Sequence, residues 1–140
     1  MKKFLFIYIL SLAIIATSCE DKHNHLGNLN GNWQLMSWHN VKNGELIADK
    51  GSNIYYSISI SLMKIWRVDN SSKYFMTTFR NKNDSLVITN AYVSPFDSIV
   101  TTKEMKDFGI PEDGAFRIAE LSSDKMTLVS NESILSFKKN

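Results

Sequence analysis

The feature that most limits the fold of this chain is a strict two-residue alternation. Ile54, Tyr56, Ile58, Ile60 and Leu62 fall on one face, and Tyr55, Ser57, Ser59 and Ser61 on the other. Successive side chains of an extended backbone point to opposite faces, so this period, rich in β-branched and aromatic residues, predicts a half-buried strand. The apolar stretch runs on through Trp66 and Val68, so the strand bends there or a new one begins. One such strand cannot bury its apolar face alone. It requires neighbours.

The rest of the chain supplies them as short runs between turn residues. From Asn32, Trp33, Leu35 and Ser37 alternate with Gln34, Met36 and Trp38. Asn43-Gly44 is a strong type I′ hairpin signal, with a second strand expected near Glu45–Ala48. Turns at 69–72 and 81–84 bracket a strand in which Phe75, Thr77 and Phe79 share a face, and Leu86–Val93 follows. The stretch from Pro95 to Pro111 departs from this rhythm. Thr101 with Glu104 three residues on forms a capping box, and Gly109 suits the residue just past a helix end. One short helix is predicted there, about Thr102–Phe108, as a lid or a plug. Strands at 115–121, 126–130 and 134–138 complete the chain. The expected fold class is all-β: about eight antiparallel strands in an up-and-down barrel, with one short helix before the last three strands. Closure removes the exposed edges that an open sheet would carry.

The N-terminus sets location. Lys2 and Lys3 precede an apolar run from Phe4 to Ala16, and small residues stand before Cys19. A charged start, a short apolar core and small residues at the cut make a secretory leader. The run is too short for a membrane-spanning helix of about 20 residues. With its cysteine it resembles a bacterial lipoprotein signal, although Ala16 stands where Leu is usual. That resemblance implies cleavage before Cys19, acylation of its thiol and an anchor in the bacterial outer membrane, on the periplasmic or the outer side. The expected domains are a signal peptide (1–18), a lipidated cysteine with a flexible tether (19–30) and a barrel (31–140). Cys19 is the only cysteine, so no internal disulfide or thiolate zinc site is available. Losing Lys2 and Lys3 leaves fourteen basic against fourteen acidic residues. A neutral domain lacks the field that holds a phosphate backbone, so no nucleic-acid partner is expected.

Gly31-Asn32-Trp33 opens the first strand with Gly-x-Trp, which resembles the lipocalin signature. The resemblance implies that Trp33 closes the barrel floor under a basic residue near the last strand, Lys138 or Lys139. From about Leu29 to Lys139 the chain is similar to the lipocalin-like domain of small Bacteroidetes lipoproteins. The similarity rests on Gly31-x-Trp33, Lys106-Asp107-Phe108-Gly109-Ile110 and the ending Leu121…Lys125-Met126…Leu128…Phe137-Lys138. Gly31, Trp33 and Lys138 are taken as the barrel floor.

Inward-facing Leu35, Tyr56, Ile58, Ile60, Phe75, Phe79, Phe116, Ile118 and Phe137 line a ligand pocket if the barrel is open, and are plain core if it is filled. Met105 and Phe108, three apart on the helix, face the barrel mouth. Trp38 and Trp66 fit neither face cleanly. His23 and His25 lie in the tether without supporting carboxylates, so no metal or other cofactor is expected. No nucleophile motif or phosphate loop occurs, and the expected role is not enzymatic. Two roles follow. One is a lipid-anchored module for a small apolar or amphipathic molecule; the other is a filled barrel that docks an envelope protein. Asp84-Ser85-Leu86 and Asp97-Ser98-Ile99 resemble O-glycan acceptor sites of Bacteroidetes envelope proteins.

Overall fold

The computed structural model describes residues 27–70, 74–94 and 98–140. The predicted leader, Cys19, His23 and His25 lie outside the described residues. Among the described residues ten strands form: β1 (Gly31–Asn40), β2 (Leu46–Asp49), β3 (Ile54–Ser59), β4 (Leu62–Arg67), β5 (Tyr74–Lys82), β6 (Ser85–Ser94), β7 (Ser98–Ile99), β8 (Ala115–Leu121), β9 (Lys125–Val129) and β10 (Ser133–Lys139). A single α-helix is described, α1 (Thr102–Lys106). No described helix is long and apolar enough to cross a membrane.

Eight strands close a barrel in the order β1-β3-β4-β5-β6-β8-β9-β10, and β10 pairs back to β1 from Trp33↔Lys139 to Asn40↔Ser133. Every pairing is antiparallel. β2 flanks the upper half of β1, and β7 pairs only with β6. The expected barrel, with its helix before the last three strands, is the fold observed. At one end, the floor, the chain enters and the connections 60–61, 83–84 and 122–124 lie. At the other, the mouth, lie the loop 41–45, the segment between β6 and β8, and the turn 130–132.

The chain departs from its sequence reading at two hairpins and at the start of the barrel. The alternation at 54–62 is two strands, not one: Ser59 pairs with Leu62 across a two-residue turn, Ile60-Ser61. Ile60 takes φ 51° and is 70% exposed, so it leaves the inward set. Asn43-Gly44 does not make a type I′ turn, because only Gly44 has positive φ. The Asn40 side chain accepts the Lys42 amide and that of Asn43 accepts the Glu45 amide, which fixes a longer loop. The barrel unit also begins earlier than Gly31. Gly27–Leu29 forms a 3-10 turn beneath it, and Leu29 is fully buried.

A bulge in β1 explains Trp38. Between Leu35 and Ser37 the register with β10 shifts, so Met36 is the extra residue and the alternation changes phase. Trp33 and Leu35 point in before it, and Trp38 packs on the core after it. The Trp38 Nε1 donates to the Ser133 hydroxyl at 2.8 Å. Trp66 lies on the outer wall, stacked on Tyr55 at 5.3 Å, with the Lys64 ammonium 5.0 Å from its ring.

Candidate functional site

The floor is built around Trp33. Its ring is fully buried, and Nε1 donates to the Leu29 carbonyl at 2.9 Å. Trp33 stands opposite Lys139 in the β1–β10 register, so the Lys139 ammonium reaches over the ring at 4.7 Å from its centre. The same ammonium donates to the carbonyls of Asn28 and Asn30, both at 2.8 Å. Lys138 is one residue out of phase and exposed, so it is not the floor cation; Lys139 is. Gly31 takes φ 143°, a conformation L side chains rarely adopt, and a Cβ there would also lie 2.9 Å from the Lys139 Cε; together these account for the glycine of Gly-x-Trp.

Above the floor the interior is packed. Leu35, Tyr56, Ile58, Phe75, Phe79, Phe116 and Phe137 are all buried in one core. Tyr56 and Phe137 meet at 4.8 Å between ring centres. Ile118 is only half-buried and packs against the edge of this core, just before a register shift between β8 and β9. Apart from Ile60, the residues proposed to line a pocket therefore pack into one core.

The mouth is stoppered by the segment after α1. Thr101 caps α1 in the expected capping box with Glu104. The helix stops in a Schellman arrangement: Gly109 N–H donates to Lys106, Ile110 N–H donates to Met105, and Gly109 has φ 84°. This turns Phe108 and Ile110 down into the barrel. Phe108 meets Phe75 edge-on at 4.9 Å, and the Arg67 guanidinium lies 5.1 Å from its ring. The Tyr56 hydroxyl donates to the Phe108 carbonyl at 2.5 Å. Burial pushes that hydroxyl far above the ordinary phenol range, so it remains a donor. Of lid and plug, the contacts make Phe108 a plug.

The wall opens on the flank. β6 pairs with β8 only over Ser85–Val87, so Ile88–Ala91 face the segment between β6 and β8 instead. Ile88 N–H bonds the Gly114 carbonyl, and Val100 N–H bonds that of Ala91. A cleft of about 300 Å³ lies between, walled by β6, β7, α1 and the loop 111–114. Ile88, Ala91, Val100, Met105 and Pro111 give it apolar surface. Thr89, Asn90, Thr102, Glu112 and Asp113 give it a polar side. Thr89 is the extra residue of a bulge against β5, and its hydroxyl shares a 2.7 Å hydrogen bond with that of Thr78. Of the residues singled out from sequence, only Met105 lines this cleft. The missed residues on β6 follow an ordinary strand pattern. Only the long break in the hairpin rhythm after Val93 hinted at an opening. A second cleft of about 290 Å³ lies on the outer wall over the Met36 bulge.

Among the described residues no group of three His, Cys, Asp or Glu is placed to hold a metal ion. Ser85 starts β6 opposite Lys82 and Arg117, and Ser98 is exposed in β7.

A family model described as a lipocalin-like domain matches residues 13–140. The chain belongs to the lipocalin-like domain family. Among solved structures, this lipocalin-like domain is similar to a lipocalin-like protein from Bacteroides uniformis, at 20% identity and a TM-score of 0.62, over 81% of this chain and 100% of that one. An uncharacterized protein from Bacteroides eggerthii matches at 23% identity and a TM-score of 0.56, over 79% of this chain and 98% of that one. A protein from Burkholderia xenovorans matches at 16% identity and a TM-score of 0.51, over 79% and 82%. At these identities the likeness is one of fold. No curated protein matches the lipocalin-like domain.

Proposed function

We propose that this lipocalin-like domain is anchored by a lipid to the bacterial outer membrane and binds a small amphipathic molecule in its flank cleft, not along the barrel axis. The observation that carries the reading is the cleft itself. It forms where β6 runs on past its pairing with β8, and its volume falls at the lower end of small-molecule sites. Apolar side chains on one side and Thr89, Asn90, Glu112 and Asp113 on the other suit a ligand with an apolar body and a polar or cationic head. The anchor rests on the leader and Cys19. The role this reading gives the cleft is binding.

Native mass spectrometry of the protein from its own host tests this. A non-covalent adduct is expected, and Ala91→Phe, which fills the cleft, is expected to abolish it without shifting the unfolding midpoint. An adduct that survives Ala91→Phe would place the ligand elsewhere. The anchor is tested separately: Cys19→Ala is expected to move the protein from membranes to an uncleaved or soluble form. A second reading, a filled barrel that docks an envelope protein, is favoured by the packed axis and by exposed Tyr92 and Ile99 beside the cleft. Cross-linking from Ile99 to one partner, with no small-molecule adduct, is the result that selects it.

A further inference from the structure

We propose that the floor of the barrel rests on an anionic lipid surface, with Ile60 entering the interface. This stands on the lipid-anchor reading above. Ile60 occupies a two-residue hairpin turn at φ 51°. That conformation suits Gly, Asn or Asp and is an outlier for a β-branched residue. The side chain is also 70% exposed, so no core packing offsets the strain. The pairing of β3 and β4 forces the turn, and backbone outliers of this kind cluster at functional surfaces, so an isoleucine at this point is an outlier that points to a use for its side chain. Leu62, two residues on, adds a second exposed apolar side chain at 47%.

The turn lies at the end where the chain enters. Gly31 pairs with Ile58, two residues before Ile60. The eight peptide steps from Cys19 to Gly27 span at most about 29 Å when fully extended. Ten-residue strands rising about 3.3 Å per residue and tilted about 40° make a barrel about 25 Å tall. An anchor at Cys19 therefore lets the floor meet the bilayer with slack, whereas the mouth reaches it only if the link is nearly taut.

Charge agrees. Arg80, Lys82, Lys125 and Lys138 are exposed toward the floor, against Asp84, Glu120 and Asp124. The mouth is the acidic end: Glu45, Glu104, Asp107, Glu112, Asp113 and Glu132 outnumber Lys42, Lys103 and Lys106, of which Lys106 pairs with Glu132. An anionic leaflet attracts the first end and repels the second. An apolar tip among lysines suits an interface better than it suits a soluble partner.

The test uses the lipidated full chain in vesicles containing phosphatidylglycerol. Acylation occupies the Cys19 thiol, so Ser61→Cys provides a single site for an environment-sensitive fluorophore beside an intact Ile60. A blue-shifted emission is expected there, weaker in phosphatidylcholine vesicles and at high salt, and lost when Ile60→Asn is added. The same label introduced by Lys42→Cys in the mouth loop 41–45 is expected to report water. Ile60→Asn should melt no lower than the parent, since asparagine tolerates the turn conformation. A label beside Ile60 that reports water in anionic vesicles overturns the proposal. So does a blue shift unchanged by Ile60→Asn, or a large drop in melting temperature that makes Ile60 structural. A chain that never enters the vesicles overturns the anchor reading and this inference with it; one that enters but leaves the floor in water overturns this inference alone.

Discussion

Lys139 joins three parts of the floor: the indole of Trp33, the carbonyls of Asn28 and Asn30, and the end of the last strand. A cation over a ring contributes about 0.5–1 kcal/mol, and hydrogen bonds from a charged group somewhat more. Lys139→Ala should therefore cost about 2 kcal/mol in urea unfolding, while Lys138→Ala, in solvent, should stay within about 0.5 kcal/mol. Trp33→Ala removes a fully buried ring and should cost about 3–5 kcal/mol by the same measurement. Tyr56 gives a prediction in pH. Its folded-state affinity for the proton is raised by burial, so its contribution is intact below the unfolded pKa of about 10 and is lost as pH rises above it. Above about pH 10 stability should fall by up to about 1.4 kcal/mol per pH unit from this one group. Tyr56→Phe should be less stable at neutral pH for want of the bond to Phe108, and should lose that alkaline slope. A parent and a Tyr56→Phe variant with parallel alkaline profiles would speak against the burial of the hydroxyl.

At the scale of elements, the segment between β6 and β8 both stoppers the mouth and walls the flank cleft. Two glycines make this possible: Gly109 ends α1 in the left-handed region, and Gly114 lies against β6 at φ 67°. A Cβ on Gly114 would collide with the Ile88 carbonyl oxygen. Gly114→Ala should cost about 1–3 kcal/mol from backbone strain and should also reshape the cleft. Phe108 is half-buried, so Phe108→Ala should cost about 2 kcal/mol, less than a fully buried aromatic. Amide hydrogen exchange should be slow at Ile110 and Gly114, whose N–H groups bond Met105 and Pro111; fast exchange there would make the segment a mobile lid. The capping box and the glycine stop of α1 were legible in the sequence because both are local signals. The Ile60-Ser61 turn was not. Its residues continue the strand alternation, and the chain reverses there because β3 and β4 have partners on both sides, a tertiary effect that overrides turn preference. The β1 bulge was hidden for a similar reason: it depends on the register with β10, far away in sequence.

For the whole molecule, the barrel could be read from composition and period because its apolar alternation repeats on nearly every strand. The site could not. Inward residues of an open and of a filled barrel look the same in sequence, and what separates them is whether the side chains from opposite walls meet. Here they do, with Trp33 and Lys139 below, Tyr56, Phe75 and Phe137 between, and Phe108 above. The opening moves to the flank, where β6 outruns β8. The measurement that tests this most directly is amide NMR of the domain titrated with an amphipathic probe that carries a cationic head, such as decyltrimethylammonium. Shift changes should cluster on Ile88–Tyr92, Val100–Met105 and Pro111–Gly114, and leave Tyr56, Phe75 and Phe137 in place. Changes centred on those three aromatic residues, with the flank silent, would contradict the account and return the binding site to the barrel axis.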